Sequence, residues 1–219
     1  MRDYESVSSL KLYEGCPRCY WLKYVAGLEN GETPAQRIGK DTHEAIKLYH
    51  SGGKFNSESE IVNKLIEVYK QNVSVDACNN TEHEFFIPII NIATEEELPF
   101  GLHGFIDGIN ENTKWLFEHK TSSRYWSCDD VDTDIQATAY SYAYYKIYNE
   151  LPEGIRFNIL KKNKKFMKFQ ALETYRTFED LVYFFNWAKN IYEDMRASKF
   201  EPKQTRFGFH HHACPYSSE

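Results

Sequence analysis

The 219-residue chain lacks the features that would direct it into a membrane or a secretory pathway. No apolar run approaches the ~18 consecutive residues that a membrane-spanning helix needs. The first twenty residues show neither the apolar core of a signal peptide nor an Arg-rich transit pattern. The five cysteines are an odd number, which favours reduced or metal-bound thiols over a disulfide framework. We therefore expect a soluble, cytoplasmic protein with no membrane partner.

An excess of basic residues is also missing. The chain has 26 Lys and Arg against 32 Asp and Glu, so its formal net charge is −6. Nucleic-acid-binding proteins are often basic overall, so any contact with DNA must come from a local basic patch. A nuclease is not excluded, because carboxylates that bind metal add negative charge. Aromatic residues are dense, and we expect most of them in the core, although aromatic rings can also stack on nucleobases.

Hydrophobic periodicity predicts an α/β or α+β fold with one central mixed sheet flanked by helices. Helices are predicted over 6–27 with a break at Pro17, and over 35–50, 57–71, 129–149 and 177–197. Strands are predicted over 82–90, 101–109 and 114–121, followed by a hairpin of 154–162 and 165–174. The length suits a single domain over 1–219. We expect a helical part at 1–75, a catalytic core at 80–175 and a C-terminal helix and tail at 176–219.

Asp107 and the segment Glu118-His119-Lys120 carry the most informative pattern. Because side chains alternate along a strand, Glu118 and Lys120 point to the same face. Asp107 lies on the preceding predicted strand, so its carboxylate can approach that of Glu118. Converging carboxylates repel each other unless a cation lies between them, and Mg²⁺ or Mn²⁺ prefers such oxygen ligands. Lys120 could then position a water or stabilise charge on a phosphate. A solvated ion pair on a strand is the alternative interpretation.

Two predicted helices supply further candidates. His43 follows Gly39 by about one turn and could donate an imidazole ligand, although a lone histidine is more often structural. Gln136 and Tyr140 are four residues apart, so they share one face of their helix. They could donate to a phosphate or hold the lysine, or they could belong to an ordinary amphipathic helix.

Taken in order, these patterns resemble the RecB-like branch of the PD-(D/E)XK nucleases. The motifs are Gly-x-x-x-His, Gly-x-x-Asp, Glu-x-Lys and Gln-x-x-x-Tyr, at Gly39 and His43, Gly104 and Asp107, Glu118 and Lys120, and Gln136 and Tyr140. The segment 8–24 also looks like the start of that family, and the resemblance covers about residues 6–145. The branch includes CRISPR-associated nucleases, helicase-linked nuclease domains, and phage and mitochondrial single-strand exonucleases.

The resemblance implies a restriction-endonuclease-like core and assigns roles to these residues. It implies that a metal is bound by His43, Asp107, Glu118 and the main-chain carbonyl of His119. Lys120 would act in catalysis together with Asp107 and Glu118. Gln136 and Tyr140 would support the site and contact DNA. Glu82 or Glu84 lies where the family often carries a glutamate before the first core strand. Of these two, Glu84 is our candidate supporting residue.

The implied activity is that of a DNA exonuclease dependent on Mg²⁺ or Mn²⁺ and preferring single-stranded ends. A structure-specific endonuclease or end-trimming nuclease that works with a partner is one alternative, and a catalytically weak DNA-end binding module is another. The resemblance also implies protein partners of recombination, repair or CRISPR type. It is typical of cytoplasmic proteins from bacteria, archaea or phages.

Lysines and cysteines outside these motifs complete the candidates. The predicted turn of the hairpin carries four lysines, Lys161, Lys162, Lys164 and Lys165. They could line the path of the DNA, or the turn could simply be exposed to solvent. Relatives that hold an iron–sulfur cluster use one early and three late cysteines. Here Cys16 is early and Cys214 is late, but serine occupies the second late position at Ser217. We therefore expect no such cluster, although Cys16, Cys19, Cys214 and His210 to His212 could bind another soft metal.

Overall fold

The computed structural model describes residues 2–28, 31–162 and 166–202, and the backbone of 204–205 and 208–209. The helices within these residues are α1 (Val7–Gly15), α2 (Pro17–Tyr24), α3 (Pro34–His50), α4 (Glu60–Asn72), α5 (Cys128–Asp132), α6 (Ile135–Tyr148) and α7 (Phe178–Arg196). The strands are β1 (Tyr4–Glu5), β2 (Asn80–Ile90), β3 (Glu97–Asn110), β4 (Trp115–Ser122), β5 (Gly154–Lys162), β6 (Met167–Thr174), β7 (Gln204–Thr205) and β8 (Gly208–Phe209). None of the described helices is long and apolar enough to cross a membrane.

Strands β1 to β6 form one mixed sheet in the described part of the chain. The strand order is β1-β3-β4-β5-β6, and β2 also pairs with β3. β4 runs parallel to β5, whereas β3 pairs with β4, and β5 with β6, in antiparallel orientation. Helices flank this sheet, so the predicted mixed α/β fold with a central mixed sheet is confirmed. The parallel register places Lys120 beside Ile159 and Ser122 beside Lys161.

Backbone contacts divide the chain into two compact units. The first comprises Met1–Gly31, Phe86–Gly104 and Phe178–Glu219, and the second comprises Glu32–Phe85 and Phe105–Thr177. In the first unit, the Trp187 indole donates a hydrogen bond to Glu14 at 2.8 Å and connects α7 to α1. The expectation of one nuclease domain over 1–219 stays a prediction.

The second unit contains every residue of the Gly-x-x-x-His, Glu-x-Lys and Gln-x-x-x-Tyr motifs, together with Asp107. Its core packs α3 and α4 against β5. The buried members are Ala45, Ile46, Val62, Leu65, Ile66, Tyr69, Val73 and Leu160. Helix α3 begins with a capping box between Thr33 and Gln36, which satisfies its first main-chain N–H groups. The cap and the apolar face together fix α3, and with it His43.

Two predicted helices are each divided in the structure. The predicted break at Pro17 is confirmed, because α1 ends at Gly15 and α2 begins at Pro17, with Cys16 as its N-cap. The single helix predicted over 129–149 is wrong, because α5 ends at Asp132 and α6 starts at Ile135. The reason is local: the Asp134 side chain accepts a hydrogen bond from the Gln136 N–H and caps a new helix.

Arg176 anchors this junction between α5 and α6. Its Nη2 donates to the main-chain carbonyls of Val131 at 3.1 Å, Asp132 at 3.0 Å and Asp134 at 3.3 Å. Its Nε donates to the Thr138 hydroxyl at 2.8 Å, on the first turn of α6. A planar guanidinium can satisfy several acceptors in fixed directions at once, which a lysine ammonium cannot. The Arg176 side chain therefore fixes the start of α6 together with the Asp134 cap.

We predict that Arg176→Lys lowers the free energy of unfolding by about 2–4 kcal/mol, since several charge-assisted hydrogen bonds are lost. Urea unfolding followed by circular dichroism measures this loss. Arg156→Lys is the matched control, because Arg156 forms an exposed pair with Glu173. Such a surface pair contributes about 0–1 kcal/mol. Equal losses in the two variants would show that Arg176 is not an anchor.

Candidate metal centre

The Asp107 carboxylate lies where β3 and β4 stop pairing. The two strands pair from Gly108 to Asn110 on β3 and from Trp115 to Phe117 on β4. Just beyond the last pair, Asp107 Oδ2 accepts a hydrogen bond from the main-chain N–H of His119 at 2.7 Å. This bond ties the carboxylate to β4 and satisfies a buried donor. The side chain is 9% exposed, so its charge is largely withdrawn from water.

His43, Glu82 and Asp107 form a group that could hold a metal ion. One donor atom from each residue lies within 4.8 Å of the others. The His43 Nδ1 is 3.4 Å from Asp107 Oδ1. Glu82 has a φ of +52°, and it alone among the described non-glycine residues with positive φ lies inside a strand. This backbone conformation is costly for a residue with a side chain and interrupts the alternation of β2.

Glu118 and Lys120 form the second half of the site. Glu118 is 2% exposed and makes an ion pair with Lys120 through Oε1. Its Oε2 is buried and has no hydrogen-bond partner among the described residues. Lys120 Nζ also donates to Gln136 Oε1 at 2.6 Å, and Gln136 Nε2 donates to the Tyr140 hydroxyl oxygen at 2.7 Å. The unpartnered carboxylate oxygen is an acceptor that a cation would satisfy.

Burial and the convergence of charges shift the pKa values at the site. Burial raises the pKa of Glu118 to about 7, and the nearby Asp107 carboxylate acts in the same direction. Burial lowers the pKa of His43, but the charges of Asp107, Glu118 and Glu82 outweigh it and raise the value to about 9. Burial raises the pKa of Asp107, but His43 outweighs this effect and holds it below its ordinary value. The carboxylates therefore require positive charge beside them at neutral pH.

The His119 side chain is part of the core. It is 2% exposed, and its ring packs edge-on against Tyr69, with the ring centroids 5.3 Å apart. Burial lowers the pKa of His119 to about 3, so the ring is neutral. Its Nδ1 lies 3.4 Å from the Asn158 amide nitrogen on β5. The His119 ring thus packs in the core, and the ligand role of its main-chain carbonyl stays a prediction.

An open cavity of about 530 Å³ adjoins the group formed by His43, Glu82 and Asp107. It is lined by Gly39, Lys40, Asp41, His43, Glu44, Lys47 and Glu82. Lys40 and Lys47 are exposed and lie about one turn on either side of His43 along α3. The sequence analysis missed both lysines. Their spacing of three before and four after His43 places all three residues on one helix face, and that signal was available.

The remaining candidates do not belong to this group or lie outside the described residues. Glu84 is exposed on β2, and the glutamate beside His43 and Asp107 is Glu82. Lys161 and Lys162 end β5, and Lys161 is beside Ser122 of β4. Outside the described residues lie Lys164, Lys165, Cys214, Ser217 and His210 to His212.

Cys16 and Cys19 are buried in a small apolar cluster with Leu22. The Cys16 Sγ accepts a hydrogen bond from the Cys19 N–H at 3.4 Å, so it acts as the N-cap of α2. Both cysteines therefore have a packing role in the first unit.

Comparisons with known proteins agree with this geometry. A family model described as the PD-(D/E)XK nuclease superfamily matches residues 5–218. A solved structure titled "Crystal structure of SSO0001" aligns with a TM-score of 0.50 at 18% identity, covering 100% of this chain and 86% of that chain. At that identity the similarity shows the fold alone. A comparison with curated protein sequences gave no match. Because the family model spans nearly the whole chain, this protein belongs to the PD-(D/E)XK nuclease superfamily, whose members are metal-dependent nucleases.

Proposed function

We propose that this protein is a divalent-metal-dependent DNA exonuclease that prefers single-stranded ends. The observation that carries the proposal is the buried Oε2 of Glu118, which has no hydrogen-bond partner among the residues that the structure describes. Glu118 lies on the strand next to that of Asp107, and the Asp107 carboxylate forms a group with His43 and Glu82. The order of the sequence motifs, which resembles that of single-strand exonucleases, supports cleavage from ends. A structure-specific or end-trimming nuclease that acts with a recombination, repair or CRISPR-type partner is the second candidate.

The donor set fits a hard divalent cation. His43, Glu82, Asp107 and Glu118 would hold it, with the His119 carbonyl as a further ligand. Carboxylate oxygens with a single imidazole suit Mg²⁺ or Mn²⁺ better than a soft metal. Such an ion, when bound, polarises a phosphate oxygen and lowers the pKa of a coordinated water.

Lys120 is held in one position before any substrate arrives. Its ammonium is fixed by Glu118 on the same strand face and by the Gln136 carbonyl oxygen on α6. Tyr140 in turn fixes Gln136 by accepting a hydrogen bond from its amide. A preorganised ammonium can orient the attacking water or stabilise the charge that develops on the phosphate. We assign Lys120 this catalytic role, and Gln136 and Tyr140 a positioning role.

Lys40 and Lys47 allow a polyanionic substrate to bind next to the acidic site. Both are exposed on the wall of the cavity that His43 and Glu82 also line. Their ammonium groups offset the local carboxylate charge and can bind the phosphates that flank the scissile bond. We assign them to DNA binding.

Digestion of labelled DNA tests the proposed function. Linear single-stranded DNA should be degraded from its ends with Mg²⁺ or Mn²⁺, more slowly when it is duplex, and not at all with EDTA. A circular single strand should stay intact, because an exonuclease needs an end. Cutting of the circle would favour the endonuclease candidate, and EDTA-resistant digestion would overturn the metal requirement.

The metal ligands are tested by conservative variants. Asp107→Asn and Glu82→Gln should each lower cleavage by at least ~100-fold, the scale of losing one preorganised electrostatic group. Glu84→Gln is the matched control, because Glu84 is an exposed glutamate two residues away on the same strand. Initial rates on linear single-stranded DNA measure the effect. A greater loss for Glu84→Gln than for Glu82→Gln would transfer the role to Glu84.

Removal of the lysine should separate catalysis from binding. Lys120→Ala should abolish turnover and change the DNA dissociation constant little, since one ammonium adds little beside many phosphate contacts. Lys47→Ala should do the reverse, weakening binding while leaving the maximal rate near that of the wild type. Rates at saturating DNA and fluorescence anisotropy measure the two effects. Loss of binding in Lys120→Ala would make Lys120 a docking residue.

Metal affinity should rise with pH. His43 must lose a proton before its nitrogen can donate, and its pKa is about 9. Glu118, with a pKa of about 7, must also be deprotonated. Mn²⁺ affinity should therefore rise about tenfold per pH unit between pH 7 and 9 and more steeply below pH 7. Calorimetry measures this slope.

His43→Gln provides the control for that pH dependence. Between pH 7 and 9, Mn²⁺ binding to this variant should release about one proton fewer, so the affinity should rise less steeply with pH. The affinity should also be lower than that of the wild type at every pH. The same slope in wild type and variant would mean that His43 is not a metal ligand.

A further inference from the structure

Two lysines face each other at the ends of β5 and β6. Lys161 and Lys168 are paired directly across these antiparallel strands. Like charges in this position destabilise a sheet. Within the part of the chain that the structure describes, neither lysine forms an ion pair with a carboxylate. No carboxylate of the described residues therefore offsets either charge, and both ammonium groups can bind an anion.

Each of these lysines lies over an aromatic ring that is open to solvent. Lys161 Nζ is 3.9 Å from the centroid of the Tyr125 ring, and Lys168 Nζ is 5.5 Å from that of Phe166. Both rings are large and apolar, yet Tyr125 and Phe166 are each 50% exposed. A ring that offers a stacking face next to an ammonium that can bind phosphate is typical of single-strand recognition.

The loop that carries Tyr125 is fixed on both sides of the ring. The Trp126 N–H donates to the Gln170 side chain at 3.0 Å, and that side chain donates to the Trp126 carbonyl at 2.8 Å. Arg124 makes a bidentate pair with Asp130 at 2.8 and 2.7 Å. Arg124 is therefore neutralised and holds the loop. Because Tyr125 is already ordered, a ligand that stacks on it loses little affinity to ordering.

The sheet register connects this surface to the candidate active site. Lys161 is beside Ser122, and Ser122 follows Lys120 by two residues on β4, so the side chains share one face of the sheet. A strand rises about 3.3 Å per residue, so the two rows are about 7 Å apart along the strand direction. A DNA strand bound at Lys120 would reach Lys161 within a few nucleotides.

We propose that Tyr125, Lys161, Phe166 and Lys168 form an aromatic–lysine platform that binds the unpaired strand of the DNA substrate. The rings stack on exposed bases, and the two ammonium groups contact the adjoining phosphates. The platform rests on the proposed nuclease function and deepens it, because it explains a preference for single strands. Bases in a duplex are paired and stacked on each other, so they offer these rings no free face.

Binding without cleavage tests the platform. Fluorescence anisotropy with an oligothymidylate of about 16 nucleotides in EDTA measures affinity alone. Tyr125→Ala and Phe166→Ala should each weaken binding roughly 5- to 100-fold, the scale of one lost base stack. Tyr125→Trp should retain binding. Tyr183→Ala, which removes a 60% exposed ring from α7, is the matched control and should bind as the wild type does.

An abasic strand isolates the stacking. Wild-type protein should lose affinity for an oligonucleotide whose bases are removed but whose phosphates remain, and Tyr125→Ala should then cause no further loss. If Tyr125→Ala weakened binding of the abasic and the base-containing oligonucleotide by the same factor, the ring would not stack on bases. This result would overturn the platform. Wild-type affinity in both alanine variants would also overturn it.

The lysines are tested by their salt dependence. Lys161→Gln combined with Lys168→Gln should lower the salt slope of single-strand binding by up to ~0.7 for each lost phosphate contact. An unchanged slope would contradict the assignment of these ammonium groups.

Cleavage assays distinguish a failure of the platform from a failure of the proposed function. If the wild-type protein cuts single-stranded DNA but the platform variants bind as well as it does, the platform is overturned and the nuclease stands. If the wild-type protein binds in a Tyr125-dependent, base-dependent manner but does not cut, the platform stands and the nuclease function is overturned.

Discussion

The candidate site depends on the buried carboxylate of Asp107. One oxygen binds the His119 N–H at 2.7 Å, and the other lies 3.4 Å from His43 Nδ1, so α3, β3 and β4 meet at a single group. A carboxylate removed from water is costly unless it is paired. The same cost makes it a strong attractor for any cation that enters. The affinity of this position for positive charge, whether imidazolium or metal ion, thus follows from its burial.

The position of Lys120, to which we assign a catalytic role, and the local stability of the fold depend on the same helix, α6. Lys120 is held by Gln136 near the start of α6, and Arg176 fixes that start through the carbonyls that precede it. Loosening the junction would therefore displace the amide that orients the ammonium. A substitution at Arg176 can lower activity without touching substrate, and a destabilised variant should be tested for correct folding before its rate is interpreted.

The net charge of −6 does not describe the local charge at the surfaces that would bind DNA. Acidic groups concentrate at the candidate metal centre, but Lys40 and Lys47 line the same cavity as Glu82. At the end of β5, the half-buried Lys161 places its ammonium 3.9 Å from the centroid of the Tyr125 ring. Local fields of this kind direct a polyanion to a site even when the protein as a whole repels it.

Local periodicity was sufficient to predict part of the site, and tertiary structure decided the rest. Strand alternation places Glu118 and Lys120 on one face, and helical spacing does the same for Gln136 and Tyr140, because both relations depend only on near neighbours in the chain. The choice of Glu82 over Glu84 was not predictable, since a positive φ interrupts the alternation of β2. The pKa values at the site could not be predicted from the sequence either, because burial and the convergence of charges from distant parts of the chain set them.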